Sequence, residues 1–353
     1  MKRIITILLL AFTVAAASAF AWQGFTEDHE NLQAKISGAE ISPEIRKEKT
    51  ASIMFFGDIM LDRRVYNLAK ESGDWGYPFK DTENLFGLAD ANVANLEGPI
   101  TSFDSESAET NGMRFTINPS FVPELKKRFS ALSLANNHTL DFGEEGLRQT
   151  KKNLSGGEIT FFGDYENRGD NVSAVIAVNG VKLGLVGYHS LSGKNFNNAI
   201  LDIKKLKETS DFVVVMPHWG NEYELFPSEN QKNEARLFID AGADAVIGGH
   251  PHVIQPAEIY KGKAIFYSLG NFVFDQYFSE SVMKGLAIRL EIKMTEEGTK
   301  PEYEIIPIEN NKLSQPTPME NGAAGTLIDL FAANSAVSDK IKEEIRLFHR
   351  IIP

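Results

Sequence analysis

Two histidines bracket a proline at His250-Pro251-His252, directly after Gly248-Gly249 and an apolar run. Imidazoles at i and i+2 of an extended segment can face different metal ions. Pro251 fixes its own φ and biases His250 toward extended backbone. Alone, the triplet reads equally as a solvated loop, but other apolar runs also end in metal-capable residues. ASIMFFGD ends in Asp58, DANVANLE in Glu97, ALSLANNH in Asn137 and His138, DFVVVMPH in His218, and AIFYSLGN in Asn271. The three histidines 218, 250 and 252 form a neutral nitrogen set suited to Zn²⁺, Mn²⁺ or iron. Asp58 and Glu97 supply the carboxylate charge that such a set needs. Singly, Asp58 reads as a helix N-cap and Glu97 as a cap or the partner of a cation. Their shared position at run ends favours ligation. The carboxamide of Asn137 can ligate a hard or borderline ion, which leaves His138 free to reach substrate and protonate a leaving oxygen.

A sheet must position these groups. Runs of about 4–8 residues rich in Val, Ile, Phe and Ala, bounded by Gly, Pro or Asn, read as strands buried on both faces. Ligands of open α/β sheets bind off the carboxyl ends of the strands. Residues from Asp58 to Asn271 therefore converge on one rim. Helices are expected over 144–154 and 230–241, the latter stopped by Gly242. Asn179-Gly180 signals a hairpin between 172–178 and 181–187. Lys261-Gly262-Lys263 signals a second hairpin between 257–260 and 264–268. Residues 285–294 and 303–308 alternate apolar and polar, as half-exposed strands do. The core domain spans 51–310, and residues 311–353 read as a linker and one C-terminal helix over about 326–348.

The chain of 353 residues has no cysteine, which excludes disulfides, thiol nucleophiles and Cys-ligated metals. Its formal net charge of −12 repels nucleic acid and anionic lipid at long range. Lys2-Arg3, the uncharged stretch 4–21 and Ala17-Ser18-Ala19 fit a secretory signal over 1–21, with an uncleaved membrane anchor as the alternative. The expected location is thus outside the cytoplasmic membrane: periplasm, cell surface or medium. Residues 22–50 read as a polar extension.

GDIML, NLEGPIT, SLANNHTLDFG, PHWGNEY, GGHPHVIQP and YSLGNFVFDQ resemble the successive motifs of the poly-γ-glutamate capsule biosynthesis (CapA) family, from about Ile53 to Asp275. That family is similar in fold to the calcineurin-like metallophosphoesterases. The resemblance implies an α/β fold, a four-layer α/β/β/α sandwich with one or two divalent ions at the strand ends. It places Asp58, Glu97 and His252 on a first metal, with Glu97 bridging to a second held by Asn137, His218 and His250. His138 then assists the leaving group. Asn271 and Asp275 belong to the last motif and could line the substrate cleft. Arg63 and Arg114 are candidate anion clamps. Met60 departs from the phosphoesterase pattern, which has histidine there, so the first metal lacks an imidazole. Either Asp62 substitutes or that ion is weakly held. The expected function is a metal-dependent, phosphoesterase-like hydrolase of capsule polymer biosynthesis. The alternative is a non-catalytic accessory protein that binds an anionic polymer. The implied partners are an anionic envelope polymer or phosphoester and membrane-bound capsule synthesis proteins.

Overall fold

In strand β1 (Lys49–Ile59) Ile53 and Phe55 face one way and Met54 and Phe56 the other, and all four are buried. A strand apolar on both faces must lie between two layers. That follows in the computed structural model, which describes residues 48–105 and 112–353. The signal-like stretch and almost all of the polar extension lie outside the described residues. No helix among the described residues is long and apolar enough to cross a membrane.

Strands β2 (Ala91–Leu96), β3 (Ala131–Ser133) and β4 (Thr160–Phe162) run parallel on one side of β1. The second sheet has the order β5 (Ser173–Val178), β6 (Val181–His189), β7 (Phe212–His218), β8 (Ala245–Ile247), then β10 (Lys263–Leu269) and β9 (Ile254–Tyr260). Its strands β6, β7, β8 and β10 are parallel. A short strand β11 (Asn271–Val273) crosses back and pairs with β1. On the far side of β1, β12 (Lys284–Thr295) and β13 (Gly298–Asn310) are antiparallel.

Three apolar layers hold this together. Ile53, Phe55 and Val93 of the first sheet meet Leu183, Val214 and Phe266 of the second. Helices α1 (Arg63–Ser72), α2 (Val122–Arg128) and α3 (Gly143–Gly156) cover the outer face of the first sheet through Val65, Leu125 and Leu147. Helices α4 (Phe196–Thr209) and α5 (Glu229–Ala241) cover the second through Ala199, Ile203 and Phe238. The order is helix, sheet, sheet, helix, as expected. Both hairpins form, with Asn179-Gly180 and Lys261-Gly262 at positive φ as their turns require. Helix α5 starts in a capping box of Ser228 and Gln231 and stops at Gly242, whose φ is 117°.

The C-terminal region differs from expectation. It forms two helices, α6 (Asn321–Asn334) and α7 (Asp339–Phe348), instead of one. The break has a tertiary cause. The Ser335 hydroxyl accepts the Ala257 N–H at 3.0 Å, and Ala336 bridges to Glu258 on β9. Ser338 then caps α7. The flanking strands β14 (Pro316–Pro318) and β15 (Arg350–Ile351) both join β13, so this region extends the first sheet.

Candidate metal centre

The apolar runs carry their polar ends to one rim, as parallel strands must. Asp58 stands opposite Asn95 of β2 and Asn271 of β11, at a register shift that re-aims its side chain. Gly57 is obligatory there: a Cβ would lie 1.9 Å from the Gly270 carbonyl oxygen. His218 ends β7, and the His250-Pro251-His252 turn follows β8 by way of Gly248-Gly249. A Cβ at Gly249 would lie 2.7 Å from the Asp58 carboxylate. Its absence lets Asp58 Oδ2 accept the His250 N–H at 3.1 Å.

The extended backbone expected for the triplet is not found. His250 and His252 both have positive φ, 94° and 56°. Hydrogen bonds fixed elsewhere override the local preference set by proline. Besides the bond to Asp58, the Pro251 carbonyl accepts the Tyr223 N–H at 2.8 Å.

Asp58, Glu97, His218, His250 and His252 are all buried. Ligand atoms of Asp58, Glu97 and His218 lie within 4.8 Å of one another, and so do those of Glu222, His250 and His252. His252 also approaches the first group, with Nδ1 3.5 Å from Asp58 Oδ2 and Nε2 3.6 Å from Glu97 Oε1. Asn137 Oδ1 is 2.8 Å from His218 Nε2, so both can face one ion.

The electrostatics fit a cation. Burial pushes the Glu97 carboxyl up to about 7, against the pull of His252. Burial opposes charge on His252, but Glu97 and Asp58 outweigh it and raise its pKa to about 9. Burial, then the neighbouring His252, lowers His250 to about 3, and burial holds His218 well below its ordinary value. Those two rings are therefore neutral, as ligation requires. Neither oxygen of Glu97, nor Nδ1 of His250, has a hydrogen-bond partner among the described residues. Burying polar atoms without hydrogen bonds is unfavourable. A divalent ion would give both oxygens a partner.

The remaining expected residues fall into two sets. His138 lies at the centre, Nε2 3.8 Å from Glu97 Oε1, its ring fixed by Nδ1 at 2.8 Å from Asp141 Oδ2. Asn271 is buried behind the cleft, with Oδ1 2.9 Å from His252 Nδ1 and its amide donating to Gln276 and Val282. It holds the His252 ring and does not line the cleft. Arg63 and Asp275 form a buried ion pair with each other, and the guanidinium lies over the Phe115 and Phe274 rings. The guanidinium is therefore not spare for an anion. Arg114 is exposed, donates to the Asp141 carbonyl at 2.7 Å and lies over Phe142. Asp62, the expected substitute for the missing imidazole, belongs to neither ligand cluster. It caps α1.

Other site residues lay unmarked in the sequence. Asn95 donates to Asp58 at 2.9 Å and sits 3.3 Å from His218 Nδ1. His189 ends β6 in register with His218, buried, with Nε2 unpartnered among the described residues. Its position after GLVGY is a strand-end signal of the kind that marked the others. Glu222 lay inside PHWGNEY without a spacing to single it out.

Comparison with known proteins gives a consistent outcome. The chain is 30% identical to the PGA biosynthesis protein CapA of Bacillus subtilis (strain 168), over 86% of this chain and 79% of that protein. It is 33% identical to the capsule biosynthesis protein CapA of Bacillus anthracis, over 65% of this chain and 61% of the other. Identity is 28% to a probable polyglutamine synthesis accessory protein of Mycobacterium tuberculosis (strain ATCC 25618 / H37Rv), over 62% of this chain and 65% of that one. Residues 52–276, which carry every candidate ligand described above, match the bacterial capsule synthesis protein PGA_cap family, and the chain belongs to that family.

Proposed function

We propose that this protein serves the synthesis of an anionic, poly-γ-glutamate-type capsule polymer through a divalent-metal hydrolase centre. The relatives supply the polymer: their names place them in PGA, capsule or polyglutamine synthesis. One observation carries the metal. The Glu97 carboxylate is fully buried, both oxygens lack a hydrogen bond among the described residues, and three imidazole-bearing strand ends surround it. Asp58, Glu97, Asn137, His218, His250 and His252 would hold Mn²⁺, Zn²⁺ or iron. Such ions polarise a phosphoryl or carbonyl oxygen as Lewis acids. The protein's own part is positional. Asp141 orients His138 so that Nε2 faces the centre, where it can deliver a proton to a leaving oxygen. Asn271 fixes the His252 ring.

A second reading is a non-catalytic polymer-binding accessory. It is favoured by Met60, which stands where the phosphoesterase pattern has a metal-binding histidine. Metal analysis of the purified protein, followed by phosphodiester and poly-γ-glutamate hydrolysis assays on wild type and His138→Ala, separates the two. The hydrolase reading expects bound metal and turnover that falls about 10²–10⁴-fold in the mutant. Bound metal with no turnover of either substrate supports the accessory role.

We further propose export, from the Lys2-Arg3 start and the small residues at 17–19. Mass spectrometry of envelope fractions should find a new N-terminus near Phe20 or Trp22. A purely cytosolic protein contradicts it.

A further inference from the structure

We infer that Glu222 is a metal ligand, adding a carboxylate to a centre that lacks an imidazole at Met60. The inference rests on the metal reading above and extends it to a residue outside the expected ligand set. Geometry comes first. A Glu222 carboxylate oxygen and ring nitrogens of His250 and His252 lie within 4.8 Å of one another. Two neutral imidazoles and one carboxylate are a common donor set for a divalent ion that keeps an open position. His250 also has a buried Nδ1 with no hydrogen-bond partner among the described residues.

The loop carrying Glu222 is fastened to the histidine turn at both ends. Trp219 donates its N–H to the Gly249 carbonyl at 3.2 Å, and Tyr223 donates to Pro251 at 2.8 Å. Trp219 is fully buried and pinned by its indole N–H to the Tyr267 carbonyl at 2.8 Å. Tyr223 has φ 67°, and the histidines that flank Pro251 in the facing turn, His250 and His252, have positive φ as well. Each such conformation costs on the order of 1–3 kcal/mol and persists only where surrounding structure imposes it.

The other substitutes are committed. The Met60 sulfur accepts the Asp62 N–H, and the Asp62 carboxylate accepts the N–H groups of Arg63, at the start of α1, and of Thr116. Glu222 differs from the deep ligands in exposure. It is half-buried at the mouth, whereas Asp58 and Glu97 are fully buried. The ion it helps to hold is therefore the more exchangeable one. Charge gives that ion a role. Each divalent ion bound offsets two of the negative charges that Asp58, Glu97, Glu222 and the nearby Asp141 bring to the centre. Each ion added makes the cleft less repellent to an anionic polymer.

Mn²⁺ titration of the chelator-stripped full-length protein tests this, with calorimetry, elemental analysis after desalting, and electron paramagnetic resonance. Wild type should bind two ions, one weaker, and show a spin-coupled Mn²⁺ pair. In Glu222→Gln the weaker ion should lose at least about 10-fold in affinity. The tight ion should be unchanged, and the signal should become that of isolated Mn²⁺. Glu222→Asp should recover part of the loss. Unchanged thermal melting of the metal-free variants establishes that the fold is intact. Equal affinities in wild type and Glu222→Gln overturn the assignment while leaving the metal centre standing. Wild-type protein that binds no Mn²⁺ overturns the metal centre itself.

Discussion

The backbone N–H of Asp62 donates to the sulfur of Met60 at 3.1 Å. Both side chains are fully buried. The Asp62 carboxylate accepts the N–H groups of Arg63 at 2.7 Å and Thr116 at 2.9 Å, and the Ser105 hydroxyl. Burial raises its pKa even so. The pair that replaces the phosphoesterase-type Asp-x-His continuation is thus a structural device at the start of α1.

Asp62→Ala should accordingly cost stability and spare the metal. It removes an N-cap and leaves the buried Thr116 N–H unpaired, about 1–3 kcal/mol. Urea unfolding of the metal-free protein measures this, and metal stoichiometry should stay at the wild-type value. Loss of an ion in this mutant would make Asp62 a ligand after all.

His218→Ala and His250→Ala remove nitrogens from the two ligand clusters. Each should weaken metal binding by more than the ~10–100-fold that loss of an outer partner costs. Inductively coupled plasma mass spectrometry of the dialysed double mutant should find almost no metal. Full stoichiometry there would dismiss the centre.

Metal and protons compete for His252. Its pKa in the folded, metal-free chain is about 9, against 6.5 for the free side chain. A raised folded-state pKa stabilises below the unfolded value, and that stability is lost as pH rises through the folded one. Metal-free protein should therefore melt at lower temperature as pH goes from about 6.5 to 9. Bound metal, which displaces the proton, should flatten the profile. Calorimetry at pH 7 in buffers of different ionisation enthalpy should register the released proton. A metal-free midpoint that climbs over this range would contradict the assignment.

Arg63 and Asp275 are predicted to matter for folding more than for substrate. Breaking a buried ion pair by removing one partner costs about 3–5 kcal/mol. Arg63→Met should show that loss in chemical denaturation, and Arg63→Met with Asp275→Leu should recover part of it. If Arg63→Met instead leaves stability intact and weakens polymer binding, the arginine is an anion clamp.

Much of this protein is settled within short stretches of chain. Apolar runs such as ASIMFFGD and DFVVVMPH specify strands by composition, and their parallel order brings Asp58, Glu97, His138, His218 and His250 to one rim. Asn179-Gly180 fixes a hairpin, and Ser228 with Gln231 starts α5, because turn and cap preferences act over a few residues. Only the tertiary structure decided what the charged side chains meet. Arg63 finds Asp275 across 212 positions of sequence, Ser335 finds the edge of β9 and splits the C-terminal helix, and Glu222 arrives beside His250 from a polar loop. The positive φ of His250, against the preference Pro251 imposes, has the same origin. The partners of a buried polar group are chosen by how sheets and loops pack, and that packing joins segments whose sequences carry no mark of one another.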